Sequence, residues 1–468
     1  MKPLPFDPTR RHFLRQACCA AVGSTGVLST LAQLRVLGAV AADSAAVRTA
    51  ALGTDYKALV CLFLSGGNDG ANMLIPSDPS SYAAYAKARS LLAVNQSSLL
   101  PITPRKYSDG RSYGIHPSMA GVQRLFGEGK IAVLANVGTL VQPTTLSGYR
   151  SGQALPPQLF AHNEQSTQWQ SSIPDRPFQT GWGGRLADLV NAFNANNQIS
   201  MSISVAFQNS FQVGNTVGQY SVSPNGVGTL SGSGATVQFA NSQARISAVK
   251  DLMANPNASL LGAAFAGIHG AAIRDGDVLG GLLPTAPVLR TAFPGSSIGA
   301  QLRMVAKLIS LSSALNLKRQ IFFCQLRGWD THAAQVGSHG PLLAEVSAAM
   351  AAFYDATVEM GVPSQVTTFT ASDFGRTYTA NADGSDHGWG NQQLIMGGAV
   401  QGGDIYGTMP SLAIGGPDDP GQGRWLPSTS VDEYSATLAT WFGVSASNLA
   451  TVLPNIGRFA KPNLGFMG

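Results

Sequence analysis

The chain has 468 residues, of which 12% are charged and a large share are Gly, Ala, Ser and Thr. That is the composition of one large α/β domain or two ordinary ones, and it excludes a disordered chain. The formal charge of +5 is concentrated at the N-terminus. Lys2, Arg10, Arg11, Arg15 and Arg35 stand against Asp7 alone in residues 1–42, so the remainder is within one charge of neutral and offers no electrostatic case for nucleic acid or an anionic membrane.

Residues 1–42 read as a twin-arginine signal peptide. Thr9-Arg10-Arg11-His12-Phe13-Leu14-Arg15 is followed by a mildly apolar stretch from Ala17 to Leu34, then by small residues at Ala39-Val40-Ala41 that suit a signal peptidase. Nothing later is long and apolar enough to span a bilayer, so a periplasmic or extracellular protein with no transmembrane segment in the mature chain is expected. Cys18 and Cys19 leave with the leader. Cys61 and Cys324 remain in apolar runs and read as buried thiols, with a disulfide open only if their strands are neighbours.

Residues 43–468 read as one α/β domain. Lys57–Leu64 is a continuous apolar run closed by Ser65-Gly66-Gly67, a buried strand. Pro117–Phe126 reads as a helix and Ile131–Asn136 as a second strand, together a βαβ unit with a long first connection. Val213–Phe239 is rich in Gly, Ser, Asn and Thr with short alternating pieces, which predicts a β-hairpin insertion or flap over residues 213–239. Asn241–Ile273 reads as largely helical and positioned to cover the sheet. Helices are expected over Ile298–Leu315 and Pro341–Glu359, and strands over Gln320–Leu326, Val366–Thr370 and Leu394–Met396. Ser430 is expected to cap a helix running to Phe442 before Gly443. The alternation predicts a doubly wound sheet between two helical layers.

Chemistry-bearing residues gather at the ends of these strands. Asn68-Asp69-Gly70 closes the first strand, either as a tight turn or as a way to present Asp69 into the crevice. Asp330 and His332 follow the Gln320–Leu326 strand. In an extended segment residues i and i+2 share a side and can share a cation; the alternative is an Asx-turn with a surface His. Asp373 follows the Val366–Thr370 strand with Arg376 three residues on. They form an ion pair, or Asp373 holds a metal while Arg376 steadies an anionic substrate. Asp386-His387 lies in a Gly-rich loop, and either residue could be a ligand. Carboxylates with imidazole suit Zn²⁺, Mn²⁺, Mg²⁺ or Ca²⁺. Of the other histidines beyond the leader, His116 and His162 are secondary candidates, while His269 and His339 read as surface residues. Trp169 could wall a pocket.

Six segments occur in an order that resembles a known family: the leader, Phe63–Asn72, Leu159–Asn163, Gly328–His332, Ser372–Thr377 and Asp386–Gly390. They resemble a widespread, largely uncharacterised family of twin-arginine-exported bacterial proteins grouped with the alkaline phosphatase and sulfatase superfamily. The resemblance implies an alkaline phosphatase-like three-layer α/β sandwich with a mostly parallel central sheet. It also implies metal ligands at Asp69, Asp330, His332, Asp373 and His387, and a hydrolase of phosphate or sulfate esters acting on an anionic small molecule. The chain departs from the superfamily pattern in two places. Phe374 follows Asp373 where a His is expected, and no Ser, Thr or Cys nucleophile follows the first strand. Ala161 stands where relatives carry Ser, so only Ser166 or Thr167 is at hand as a substitute. These departures keep an alternative open, a non-catalytic exported module of the same fold that binds a second exported protein.

Overall fold

The computed structural model describes residues 56–194, 197–228, 242–255 and 259–468. The leader and residues 229–239 of the expected insertion lie outside the described residues. No helix among the described residues is long and apolar enough to cross a membrane.

The central sheet is built from β1 (Lys57–Ser65), β2 (Ile131–Gly138), β3 (Ser202–Ser204), β4 (Tyr220–Ser221), β5 (Arg319–Arg327), β6 (Val366–Ser372), β7 (Asn391–Gly397), β8 (Ile405–Gly407) and β9 (Thr429–Ser430). Their order is β8-β2-β7-β6-β1-β5-β3-β4, with β9 also paired to β2. All pairings are parallel except those of β7, which runs antiparallel to both β2 and β6. The expected sheet is therefore present with one reversed strand. The first two strands point the same way, but β6 and β7 lie between them, so they are not a simple βαβ neighbour pair.

Continuous apolar runs form the central strands because both faces are covered. Ala58–Leu64 of β1 and the whole of β6 are buried. On one side α2 (Ala120–Gly127), α7 (Ser297–Ser310) and α8 (Gln335–Glu359) pack together, with α7 also against β5. On the other, α3 (His162–Ser171) packs on β6, α4 (Trp182–Val190) on β5, and α9 (Val431–Phe442) on β1 and β2. Ser430 caps α9 in a reciprocal capping box with Glu433, and Gly443 ends it at φ +124°. Helix α8 begins six residues before Pro341, which lies inside it. A proline was expected to mark the start; instead Pro341 lies past the first turn, where it forfeits the bond to the carbonyl of Gly337 and its ring crowds that carbonyl, and the packing of α8 on α2 and α7 holds the helix through it.

Of the expected insertion, residues 213–228 supply β4, which adds in parallel to β3 at the sheet edge, and a tight Ser223–Gly226 antiparallel bridge with reciprocal backbone hydrogen bonds. The expected helical stretch is two helices, α5 (Ser242–Ala254) and α6 (Leu260–Leu282), which pack on each other; Leu279, near the C-terminal end of α6, belongs to the main core. Cys61 and Cys324 are free and buried. Cys61 is opposite Phe323, and Cys324 is opposite Leu62. Neighbouring strands in that register turn the two thiols to opposite faces of the sheet.

Candidate metal centre

Parallel strands β1, β5 and β6 bring the residues that follow them to one edge of the sheet. Reversal of β7 brings the residues that precede it, Asp386 to Gly390, to that same edge. Two glycines allow these loops to close on each other. Gly66 has φ +122°, and a Cβ there would lie 2.5 Å from the Asp330 amide nitrogen; Gly67 has φ +86°, and a Cβ there would lie 2.5 Å from the Phe374 ring. Only glycine meets both the conformation and the contact.

Four side chains converge at this edge. The ligand atoms of His162, Asp330 and His387 all lie within 4.8 Å of one another. His332 Nε2 adds to them at 2.8 Å from His387 Nε2 and 3.1 Å from Asp330 Oδ1. Each imidazole has an acceptor behind it. His162 Nδ1 lies 2.7 Å from Asp373 Oδ2, His387 Nδ1 2.6 Å from the Phe160 carbonyl, and His332 Nδ1 3.3 Å from Asp386 Oδ1. Protons held at Nδ1 turn the Nε2 lone pairs inward, the arrangement that outer partners impose on metal-binding histidines. His162 Nε2 is buried and has no hydrogen-bond partner, although Asp330 Oδ2 is 3.3 Å away. The close approach of the His332 and His387 Nε2 atoms needs either a proton shared between them or a cation between their lone pairs. Side-chain exposures of 47% for Asp330 and 45% for His332 leave one side of the cluster open to solvent.

Charge around the cluster is balanced by Arg376. Burial pushes the Asp330 carboxyl up, but the hydrogen bond and charge of Arg376, with the charges of His162 and His332, outweigh it and hold it at about 2. The hydrogen bond to Asp373 raises His162 above the ordinary histidine value against the effect of burial, whereas burial lowers His387. Arg376 does not reach toward a substrate. It is buried, and its guanidinium donates to the carbonyls of Gly66, Gly67, Trp329 and Ser385 as well as to Asp330, so it staples the loops together. Phe374 packs against His162 and His387, with ring centroids 4.8 and 4.5 Å away, and forms the floor beneath both imidazoles.

The expected ligands divide. Asp330, His332 and His387 are together. Asp373 stands behind His162 and also accepts from the Gly66 amide at 3.2 Å. Asp69 is elsewhere: it is buried in an ion pair with Arg89 on α1 (Pro79–Arg89) and accepts from Gln335 Nε2, which satisfies both charges internally. His339, expected on the surface, is buried, with Nε2 3.0 Å from Asn68 Oδ1 and its ring edge-on to Trp329. His116 Nδ1 accepts from the Ser118 amide, and His269 is exposed beside Phe265. Trp169 is buried in the core, edge-on to Tyr434. Ser166 accepts from Gln170, and Thr167 lines a cleft of about 490 Å³ along α3; neither hydroxyl has a hydrogen bond to the cluster. The residue underweighted from sequence is His162. Its signal is the Leu159–Asn163 segment, which places a histidine at a helix start, away from any strand end.

Residues 300–432 match a family model described as protein of unknown function (DUF1501). That span holds Asp330, His332, Asp373, Arg376 and His387, but not His162. The curated proteins contain no match to the chain. Among solved structures, similarity is found to Ps i-CgsB in complex with k-i-k-neocarrahexaose, at 10% identity and TM-score 0.34 over 87% of this chain and 77% of that one. It is also found to the PsFucS1 sulfatase from Pseudoalteromonas sp., at 12% identity and TM-score 0.34 over 89% and 71%. At these TM-scores the likenesses carry no argument about activity.

Proposed function

We propose that His162, Asp330, His332 and His387 hold a divalent cation and that the protein is a metal-dependent hydrolase of phosphate or sulfate esters. The observation that carries this reading is His162 Nε2, a buried imidazole nitrogen with no hydrogen-bond partner, aimed among three other ligand-type groups while Asp373 holds its far side. Buried polar atoms are rarely left unpaired. Three imidazoles and one carboxylate are a zinc-type donor set; Mg²⁺ and Ca²⁺ prefer all-oxygen sites, and Mn²⁺ stands lower in affinity for such ligands. Exposure of Asp330 and His332 favours a site with an accessible position over a closed structural one.

A cation bound there would supply Lewis-acid polarisation of an ester oxygen and ease deprotonation of water. The chain's own residues do the rest. Asp373, Asp386 and the Phe160 carbonyl fix the three ring orientations, Arg376 keeps Asp330 ionised, and Phe374 excludes water from beneath His162 and His387. In this reading water is the attacking group, since neither Ser166 nor Thr167 is bonded into the cluster. The leader over residues 1–42 supports a periplasmic or extracellular setting. The alkaline phosphatase-like assignment rests on the ordered segments together with the mostly parallel sheet.

A non-catalytic module that binds a second exported protein is favoured by one observation: Phe374 fills the position where the superfamily pattern has a ligand histidine. One experiment separates the readings. Protein purified without chelator is analysed for metal and assayed on p-nitrophenyl phosphate, bis-p-nitrophenyl phosphate and p-nitrophenyl sulfate, before and after chelation. Bound metal near one equivalent, with turnover lost on chelation and restored by zinc, is the expected result. Metal-replete protein silent on all three esters removes the hydrolase and leaves the module.

A further inference from the structure

Among the arginines near the cluster, Arg376 and Arg89 spend their guanidinium groups on internal partners. Arg424 does not. Its Nε donates to the His387 carbonyl at 3.1 Å, and its guanidinium lies 4.8 Å from the centroid of Phe160. Phe160 is the residue whose carbonyl accepts from His387 Nδ1, and it is held at φ +71°. Arg424 is therefore fixed to both residues that define the His387 ligand. Its backbone is anchored as well: the Arg424 amide bonds the Gly421 carbonyl, its carbonyl accepts from the Trp389 amide at 2.8 Å, and Asp419 Oδ1 ties Gly421 and Gly423 at 2.7 Å each. Among the described residues no hydrogen bond or ion pair uses Nη1 or Nη2 of this half-buried side chain.

A planar fork held by its Nε and its face, with both terminal nitrogens free, is suited to bidentate capture of an oxyanion. Stacking on an aromatic ring prepays the ordering of a long side chain. Charge balance gives the class of anion. Asp330, Asp373 and Asp386 are offset by Arg376 and a divalent cation, which leaves the site neutral before Arg424 is counted. Resting on the metal-site reading above, the geometry points to Arg424 as the residue that recognises the substrate, and to a monoanionic tetrahedral ester, a phosphodiester or sulfate monoester, as its class.

The test uses the full chain loaded with zinc, with Arg424→Ala and Arg424→Lys beside the unaltered protein. Zinc content is measured first, then binding of dimethyl phosphate and of methyl phosphate by calorimetry. The expected result is full zinc in all three proteins, dimethyl phosphate bound more tightly than dianionic methyl phosphate by the unaltered protein, and diester affinity reduced by about 10-fold or more in Arg424→Ala, with Arg424→Lys intermediate. Zinc-loaded Arg424→Ala that binds the diester as well as the unaltered protein overturns the inference alone. So does loss of zinc in Arg424→Ala, which marks a role confined to positioning His387. Tighter binding of methyl phosphate overturns the assignment to monoanions. Unaltered protein that takes up no zinc overturns the metal site and this inference with it.

Discussion

Two polar groups hang from the carboxyl edge of the same sheet. One joins His162, Asp330, His332 and His387; the other joins Asp69, Arg89, Asn68, Gln335 and His339. Both mix carboxylate or amide with imidazole, and both involve residues just after a strand. In the second, each buried polar group meets its partner: Asp69 has Arg89 and Gln335, and His339 has Asn68. In the first, every imidazole is satisfied at Nδ1, and His162 Nε2 has no hydrogen-bond partner. Residue type and place on the sheet are shared. What differs is the pairing at the far atom of each side chain, and that separates a ligand cluster from a staple.

The sharpest way to break this contrast is to remove one member from each group. His387→Ala should abolish stoichiometric zinc uptake, read by metal analysis after dialysis, while the chelated protein keeps its unfolding midpoint. Asp69→Ala should do the reverse. It leaves the Arg89 guanidinium, fully buried, without its counter-charge, at a cost of about 3–5 kcal/mol read by urea unfolding. The fraction that remains folded should still take up zinc. Zinc loss in Asp69→Ala at full stability would return Asp69 to the ligand set.

In the sequence Asp69 and Asp373 look alike, each an acidic residue closing an apolar strand. Their fates part because the partner of Asp69 lies 20 residues on, at the end of a helix whose docking no local pattern encodes, while Asp373 meets a histidine from α3. Strands β1, β5 and β6 were legible because runs buried on both faces need no register to recognise. The direction of β7 was not, since a short apolar run reads the same in either sense. That direction is what carries His387 to the shared edge. The pairing of Asp330 with His332 was legible from the two-residue period of extended chain: both are exposed and Thr331 between them is buried.

One histidine from each group, His339 and His162, should also titrate in opposite senses in the metal-free protein. Burial holds His339 down at about 4, below its unfolded value of about 6.5. Its contribution to stability is therefore complete above about pH 6.5 and is lost as pH falls toward 4, because the unfolded chain takes the proton more readily. His116, also lowered chiefly by burial, adds in the same sense. His162 is raised, so its contribution is complete below the ordinary value and lost as pH rises through the raised one. His339→Gln should flatten the acid limb of the urea stability profile by on the order of 3 kcal/mol between about pH 7 and pH 4. An unchanged acid limb would mean that His339 is not held neutral by its surroundings.

The smallest expected effect tests the boundary between the groups, at Asp373. It is as buried as Asp69 but touches the cluster through one bond, to His162 Nδ1. Asp373→Asn keeps the shape and an acceptor for the Gly66 amide while removing the charge that fixes the His162 tautomer. As a partner behind a ligand it should weaken zinc affinity by about 10–100-fold, without abolishing binding. Competition with a chromophoric chelator reads the change. Proton competition should shift as well: with Asp373 neutral, the raised His162 value falls back, so the pH at which zinc binding begins to weaken moves lower. Loss of zinc as complete as in His387→Ala would make Asp373 a ligand itself. Affinity and pH onset both unchanged would mean that the Nδ1 acceptor does not orient His162, and the contrast between satisfied and unsatisfied imidazoles would then lose its physical basis.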